Sequence, residues 1–210
     1  MRADPRVDVA VFARAPIAGA AKTRLIPRLG AAGAAQLQRQ LIERAVARAQ
    51  SLPGARVTLW TTGPLDSMAE PMMRSGVALR LQHGDDLGAR MAHAFADTLE
   101  GSRPMLLIGT DCPVQSVDDL QQALAALSDA DAVIQPAEDG GYVLIGMTRP
   151  HPVLFEHIQW GSDTVLAATR QRAAGAGLRL AEIAPLWDVD RSEDLDRAIA
   201  LGLVRLPALP

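Results

Sequence analysis

The chain has few of the residues that mark several common protein classes. Its 210 residues include only three Trp, one Tyr and three Phe, so a packed interior must rest on Ala, Leu, Val and Ile. Its one cysteine, Cys112, excludes an internal disulfide and suits a reducing cytosol. Basic excess is missing too: the net charge is −3, without the cationic surplus of a nucleic-acid-binding surface. No apolar run approaches the ~20 residues needed to cross a bilayer. The first residues, Met1 to Arg6, lead straight into strand-like sequence, which argues against a secretory signal and for a cytoplasmic protein. His83, His93, His151 and His157 lack metal-ligand spacing, and no serine sits in a G-x-S-x-G elbow. Cys112 has no obvious base beside it and reads as a small buried hydrophobe.

What the chain does have is an alternation of strand-like and helix-like segments. Apolar strands without polar alternation are expected over Val7–Ala13, Ala55–Thr62, Val77–Gln82, Pro104–Ile108, Ala132–Gln135, Val143–Gly146 and Leu178–Ile183. Helical periodicity lies between them: Leu37, Leu41, Ile42, Ala45, Val46 and Ala49 share one face, and Pro53-Gly54 stops that helix. Further helices are expected over Asp86–Leu99, Val117–Leu127 with Ser116 as N-cap, Thr164–Ala174 and Ser192–Leu201. Strands buried on both faces and separated by helices imply an α/β fold with a mostly parallel sheet. The length suits one domain spanning residues 1–210, able to bury about 70% of its unfolded surface. The Pro-rich end, Leu206 to Pro210, reads as a loose tail.

The most informative stretch is Val9 to Leu25. A buried strand ends at Ala13 and opens into a loop of small residues carrying Arg14, Gly19, Lys22 and Arg24. Such a loop at the carboxyl end of a strand can bring main-chain N–H groups and fixed cations to a phosphorylated ligand. A plain solvated surface loop is the competing reading. A nucleotide-triphosphatase loop is excluded, because Pro16 and Ala21 stand where G-x-x-x-x-G-K-[ST] needs glycines.

A second signal is Met105 to Pro113, where an apolar strand ends in Gly109 and Asp111 follows at once. A carboxylate at that edge, near the cationic loop, suits a nucleotide diphosphate bridged to protein by Mg²⁺ or Mn²⁺. A turn cap before Pro113 is the alternative. In Pro136 to Tyr142, Gly140 and Gly141 permit close main-chain approach, and Glu138 or Asp139 could bind an acceptor or act as base; a hairpin turn explains Asp-Gly-Gly equally well. In Trp187 to Leu195, Asp188 and Asp190 would point the same way from an extended segment, so Asp190 joins Asp111 as expected metal ligand. Asp190 or Ser192 could also cap the last helix. In Gly84 to Met91, Asp85 or Asp86 is expected as an N-cap, with Arg90 able to face a nucleotide.

Taken in order, F-x-R-x-P-x-x-G-x-x-K-T-R-L, G-D-D-L-G-x-R-M, I-G-T-D-C-P, E-D-G-G-Y-V-L-I-G and D-V-D-x-x-x-D-L resemble an uncharacterised bacterial family of glycosyltransferase-A-like proteins, often labelled arsenosugar-biosynthesis-type glycosyltransferases. The likeness runs from about Val7 to Leu195. It implies a nucleotide-diphospho-sugar transferase fold, a three-layer α/β/α Rossmann-like sandwich on a mixed sheet, with a divalent metal at Asp111. Where that family carries Trp-Ser-Thr, this chain has Trp160-Gly161-Ser162-Asp163-Thr164, and Arg191 replaces the Thr after Asp-Val-Asp. With Gly109 two before Asp111, there is no Asp-x-Asp; a single aspartate is the style of nucleotidyltransferases. Phospholactate guanylyltransferases are similar in having Lys-Ser-Arg-Leu after the first strand, and molybdenum-cofactor nucleotidyltransferases in the segment near Asp190.

The expected activity is metal-dependent sugar transfer from a nucleotide-diphosphate sugar to a small-molecule acceptor, with nucleotidyl transfer from a nucleoside triphosphate as the rival. A nucleotide-binding regulator without catalysis is the non-enzymatic alternative. Lys22, Asp111 and Asp139 are the expected catalytic residues. Ala13, Arg14, Gly19, Lys22, Arg24, Asp86, Arg90, Gly140 and Gly141 are expected to bind the nucleotide, and Asp111 and Asp190 the metal.

Overall fold

A computed structural model describes residues 6–99 and 103–206. The end of the expected tail, 207–210, lies outside them. The first strand, β1 (Val7–Ala13), is buried at every position because it lies inside a sheet covered on both faces. Its odd positions, Val7, Val9, Val11 and Ala13, enter one apolar layer, while Ala10 and Phe12 enter the other. This period-two division explains why the strand reads as an unbroken apolar run.

The remaining strands are β2 (Ala55–Thr61), β3 (Ala78–Leu81), β4 (Met105–Gly109), β5 (Ala132–Pro136), β6 (Tyr142–Met147) and β7 (Leu180–Glu182). Their spatial order is β3-β2-β1-β4-β6-β5-β7. Pairing is parallel from β3 through β2 and β1 to β4, and between β5 and β7. Strand β6 runs antiparallel to both its neighbours. The expected mostly parallel mixed sheet is therefore present.

Helices α1 (Ile26–Ser51), α2 (Ala69–Arg74) and α4 (Val117–Ala126) cover one face; α3 (Leu87–Thr98) and α5 (Val165–Gly175) cover the other. The last helix, α6 (Ser192–Ala200), packs Leu195 and Ala198 against Leu37 and Leu41 of α1. The short α2 gave no periodic signal. Helix α1 starts well before its expected stripe and kinks at Gly30, whose φ of 68° breaks the helical run.

Ser116 caps α4 through a reciprocal bond with Asp119, and Asp86 caps α3 by accepting the Ala89 N–H at 2.7 Å. The expected cap of α6 by Asp190 or Ser192 is corrected. Asp194 reaches back to accept the Arg191 N–H at 2.7 Å, and Ser192 is already helical.

This topology places the site. The chain winds outward from β1 through β2 to β3, then returns to place β4 on the other side of β1. The loops leaving the carboxyl ends of β1 and β4 diverge at that switch point, where open α/β sheets form ligand crevices. No described helix is long and apolar enough to cross a membrane.

Candidate functional site

The crevice is a cavity of about 1030 Å³ over the carboxyl ends of β1, β4 and β5. Seven separate stretches line it, beginning with the end of β1 and the loop after it. Ala15 N–H is held by Thr62 Oγ at 3.0 Å, and a tight turn at Ile17–Ala20 uses Gly19 at φ 84°. Lys22 then adopts the left-handed conformation at φ 47°, which starts a single turn at Thr23–Leu25. Leu25, fully buried against Leu37, Trp187 and Val189, anchors that turn. Anchoring of this kind holds a non-glycine residue at positive φ, a conformation that is uncommon without such support.

Lys22 is the centre of the arrangement. Its side chain is only 5% exposed; its ammonium lies 2.8 Å from Asp111 Oδ1 and donates to the Val189 carbonyl at 2.6 Å. Asp111 follows β4 and is 49% exposed on the cavity wall. Its carbonyl accepts the Val189 N–H at 2.8 Å, so the β4 loop and the segment before α6 are stitched together. Arg24 pairs with Asp190 across the same junction.

Asp188 lies between these pairs, half-buried, and its carboxyl is pushed up to about 7. Burial is the main cause; Asp139, Asp111 and Asp190 add repulsion, and Lys22 opposes it. Negative charge is thus crowded beyond what one lysine balances. Among the described residues, no three metal-ligating side chains converge closely enough to form a cage by themselves.

The opposite wall comes from the β5–β6 hairpin and the segment before α5. Asp139 lines the cavity and accepts the Gly141 N–H at 2.9 Å, closing the turn. Gly140, at φ 87°, lies so close to Asp163 that an added Cβ would overlap the Asp163 carbonyl oxygen. Glu138 turns toward Arg197, at 3.2 Å. Trp160 meets Tyr142 edge-on at 6.4 Å, and its indole rests against Gly88, where a Cβ would collide with it.

Of the expected site residues, Arg14, Lys22, Arg24, Asp111, Asp139, Gly141 and Asp190 line this one cavity. Ala13, Gly19, Asp86, Arg90 and Gly140 stand off it. Ala13 is buried in the sheet, and its carbonyl accepts from Thr62 and Gln82. Asp86 is occupied as a cap, and Arg90 donates to the Gly84 carbonyl at 3.0 Å. Cys112 is buried, its thiol pushed up to about 12 by desolvation, as expected of an inert packing residue.

Sequence reasoning passed over Gln38, and it noted Thr110, Trp160 and Asp163 only as members of motifs, without a role of their own; all four line the cavity. Gln38 carried a usable signal: it is a polar residue inside the apolar stripe of α1, four residues after Ala34 and four before Ile42. Asp188 was visible as one of a pair, but burial between Trp187 and Val189 only appears in three dimensions.

Residues 41–162 match the model of a family described as "Uncharacterized protein conserved in bacteria (DUF2064)". No curated protein matches the chain. A solved structure from Desulfovibrio desulfuricans G20, provisionally assigned as a nucleotide-diphospho-sugar transferase, is 29% identical. It aligns with a TM-score of 0.79, over 89% of this chain and 83% of that one. A 4-diphosphocytidyl-2C-methyl-D-erythritol synthase from Anaerococcus prevotii DSM 20548 aligns with a TM-score of 0.65 at 10% identity, over 95% and 97% of the two chains. A CMP:2-keto-3-deoxy-manno-octonic acid synthetase complexed with CTP aligns with a TM-score of 0.62 at 14% identity, over 94% and 98%. At such low identity the last two establish shared fold only. The fold is the nucleotide-diphospho-sugar transferase type that the motifs led one to expect.

Proposed function

The chain belongs to the bacterial DUF2064 family, and from that premise we propose that it is a metal-dependent transferase moving a sugar from a nucleotide-diphosphate sugar to an uncharged, hydroxyl-bearing acceptor. One observation carries this reading: all the cations of the cavity stand on one side, interleaved with Asp111, Asp188, Asp190 and Asp194, while the opposite wall is acidic without them. The cations Arg14, Lys22 and Arg24 come from the loop after β1, and Arg191 adds a fourth. The wall formed by residues 137–165 contributes Glu138, Asp139 and Asp163 and no Lys, Arg or His. A diphosphate suits the first side. A phosphate-bearing acceptor on the second would meet about 3 kcal/mol of repulsion per charge pair at ~6 Å and an effective dielectric of ~20.

The metal fits the donor set. Asp111, Asp188 and Asp190 offer oxygen ligands, and a divalent cation would offset both the burial and the neighbouring carboxylates that raise Asp188. Mg²⁺ and Mn²⁺ commonly take one or two protein carboxylates and complete their shells with phosphate oxygens and water, so a three-carboxylate cage is not required. Bound there, such an ion supplies charge stabilisation to the departing nucleotide diphosphate.

The chain's own groups do the rest. Arg14 and Arg24 bind the diphosphate, and the buried Lys22 ammonium stabilises the charge that grows on the leaving oxygen. Asp139, fixed by Gly141, accepts the proton of the attacking hydroxyl or orients it. Trp160 and Tyr142 give the acceptor an apolar wall.

The test incubates the protein and Mn²⁺ with nucleotide-diphosphate sugars or nucleoside triphosphates, together with a panel of neutral and phosphorylated acceptors. Release of nucleoside diphosphate with neutral acceptors supports the proposal. Pyrophosphate release from a triphosphate would replace it with nucleotidyl transfer, a reading favoured by one feature: Gly109, rather than a second aspartate, precedes Asp111 by two residues.

A further inference from the structure

We infer that Thr110 and Gln38 are positioning residues that fix the rotation of the Asp111 carboxylate and leave one defined oxygen for the metal–nucleotide complex. The inference rests on the reading of Asp111 as a metal ligand given above.

Gln38 is 2% exposed and Thr110 is 4% exposed, yet both line the cavity. A buried polar side chain is costly unless its bonds are made, so their partners matter. The Gln38 amide nitrogen donates to the Arg14 carbonyl at 3.1 Å and to Thr110 Oγ at 3.3 Å. The orientation of this amide is determined by its surroundings: reversed, its oxygen would face the Arg14 carbonyl, acceptor against acceptor. Both amide hydrogens are therefore spent, one on each of the two loops that flank the switch point.

The threonine hydroxyl has a single hydrogen. Because Gln38 donates into its oxygen, that hydrogen is free to point elsewhere, and Asp111 Oδ1 accepts it at 3.0 Å. Lys22 meets the same oxygen at 2.8 Å. Asp111 Oδ1 thus takes two donors on fixed elements, while Oδ2 accepts no hydrogen bond among the described residues. A carboxylate held by one oxygen cannot spin about its terminal bond, and its second oxygen becomes a prepositioned ligand. Supporting bonds of this kind commonly change metal affinity 10–100-fold when removed.

Thr110→Val keeps the shape and deletes the hydroxyl; Thr110→Ser restores the hydroxyl and deletes a methyl. Mn²⁺ affinity is measured for both and for the parent protein by titration with electron paramagnetic resonance of free Mn²⁺, alongside thermal unfolding. Expected is a 10–100-fold weaker affinity for Thr110→Val and an affinity within about threefold of the parent for Thr110→Ser. Gln38→Met should weaken Mn²⁺ in the same direction; if it fails to fold, the threonine pair still decides.

Thr110→Val with parental Mn²⁺ affinity overturns the inference alone. Equal weakening in Thr110→Ser and Thr110→Val overturns it too, because packing rather than the hydroxyl would then be responsible. The titrations are run with and without a nucleoside diphosphate, and a parent protein that binds no Mn²⁺ in either overturns both this inference and the metal reading beneath it.

Discussion

Replacing Asp188 with Asn should make the metal-free protein more stable at pH 8, although it removes a residue of the site. The Asp188 carboxyl stands at about 7 instead of 3.8. At about 1.4 kcal/mol per tenfold change in proton affinity, that displacement is worth at most about 4 kcal/mol. The side chain is only half-buried, so solvent screening brings the usable figure to about 2 kcal/mol. The sign follows from linkage. A group whose pKa is higher in the folded than in the unfolded state favours folding fully below the unfolded value, near 4, and loses that contribution as pH rises to about 7. Parent and Asp188→Asn should therefore unfold alike near pH 4 and separate between pH 4 and 7. Above that, Asp188→Asn should hold a constant advantage of about 2 kcal/mol, roughly 4–8 °C in Tm for a chain of this length. Chelator-treated protein would be unfolded by urea or heat at pH 4, 6 and 8. Saturating Mn²⁺ should then favour the parent, which alone keeps the Asp188 carboxylate beside Asp111 and Asp190. Equal stability at pH 8, or a less stable Asp188→Asn, would refute the picture of a carboxylate raised by burial and by its acidic neighbours.

Three further substitutions probe other parts of the argument. Asp111→Ala should abolish Mn²⁺-dependent donor binding in calorimetry and leave the protein folded, with about 1–2 kcal/mol of stability lost because the buried Lys22 ammonium loses its carboxylate. Gly140→Ala combines positive φ with overlap on Asp163, so a loss of about 2 kcal/mol is expected in urea titration, together with weaker acceptor use. Asp8→Ala serves as the contrast. This buried carboxylate pairs with Arg56 and Arg103 at the amino end of the sheet, so about 2 kcal/mol of stability should be lost while donor binding stays unchanged.

Much of the sheet was legible because its strands are buried on both faces: β1 was read to the residue, and the others to within a residue or two at most ends. Boundaries that depend on tertiary support were harder. Helix α1 begins at Ile26 because Leu25 is pinned from the C-terminal segment, a contact no local pattern contains. The loop cations and Asp111 were legible as charges at the carboxyl ends of apolar strands. What local spacing could not show is which charge meets which. Asp190, expected to hold metal, lies on the cavity with Arg24 engaging it, and its neighbour two residues earlier carries the raised pKa. Asp86 was legible first as a helix cap and is one, while Arg90, read as able to face a nucleotide, bonds the Gly84 carbonyl at the same helix start.

The pairing of residues near the two ends of the chain bears on how the protein is made. Lys22 bonds to Val189, Arg24 to Asp190 and Arg28 to Asp196, so each link spans more than 160 positions. During synthesis the loop after β1 leaves the ribosome more than 160 residues ahead of its partners and must wait for them to emerge. Until then Lys22 has no carbonyl at Val189 to hold it, and Leu25 lacks Trp187 as a neighbour. The nascent chain can therefore lay down β1 to β4 and their helices while still inert toward nucleotide. Chains released before Trp187 should keep much of the sheet and bind nothing, which links ligand competence to synthesis of the segment from Trp187 to Asp196.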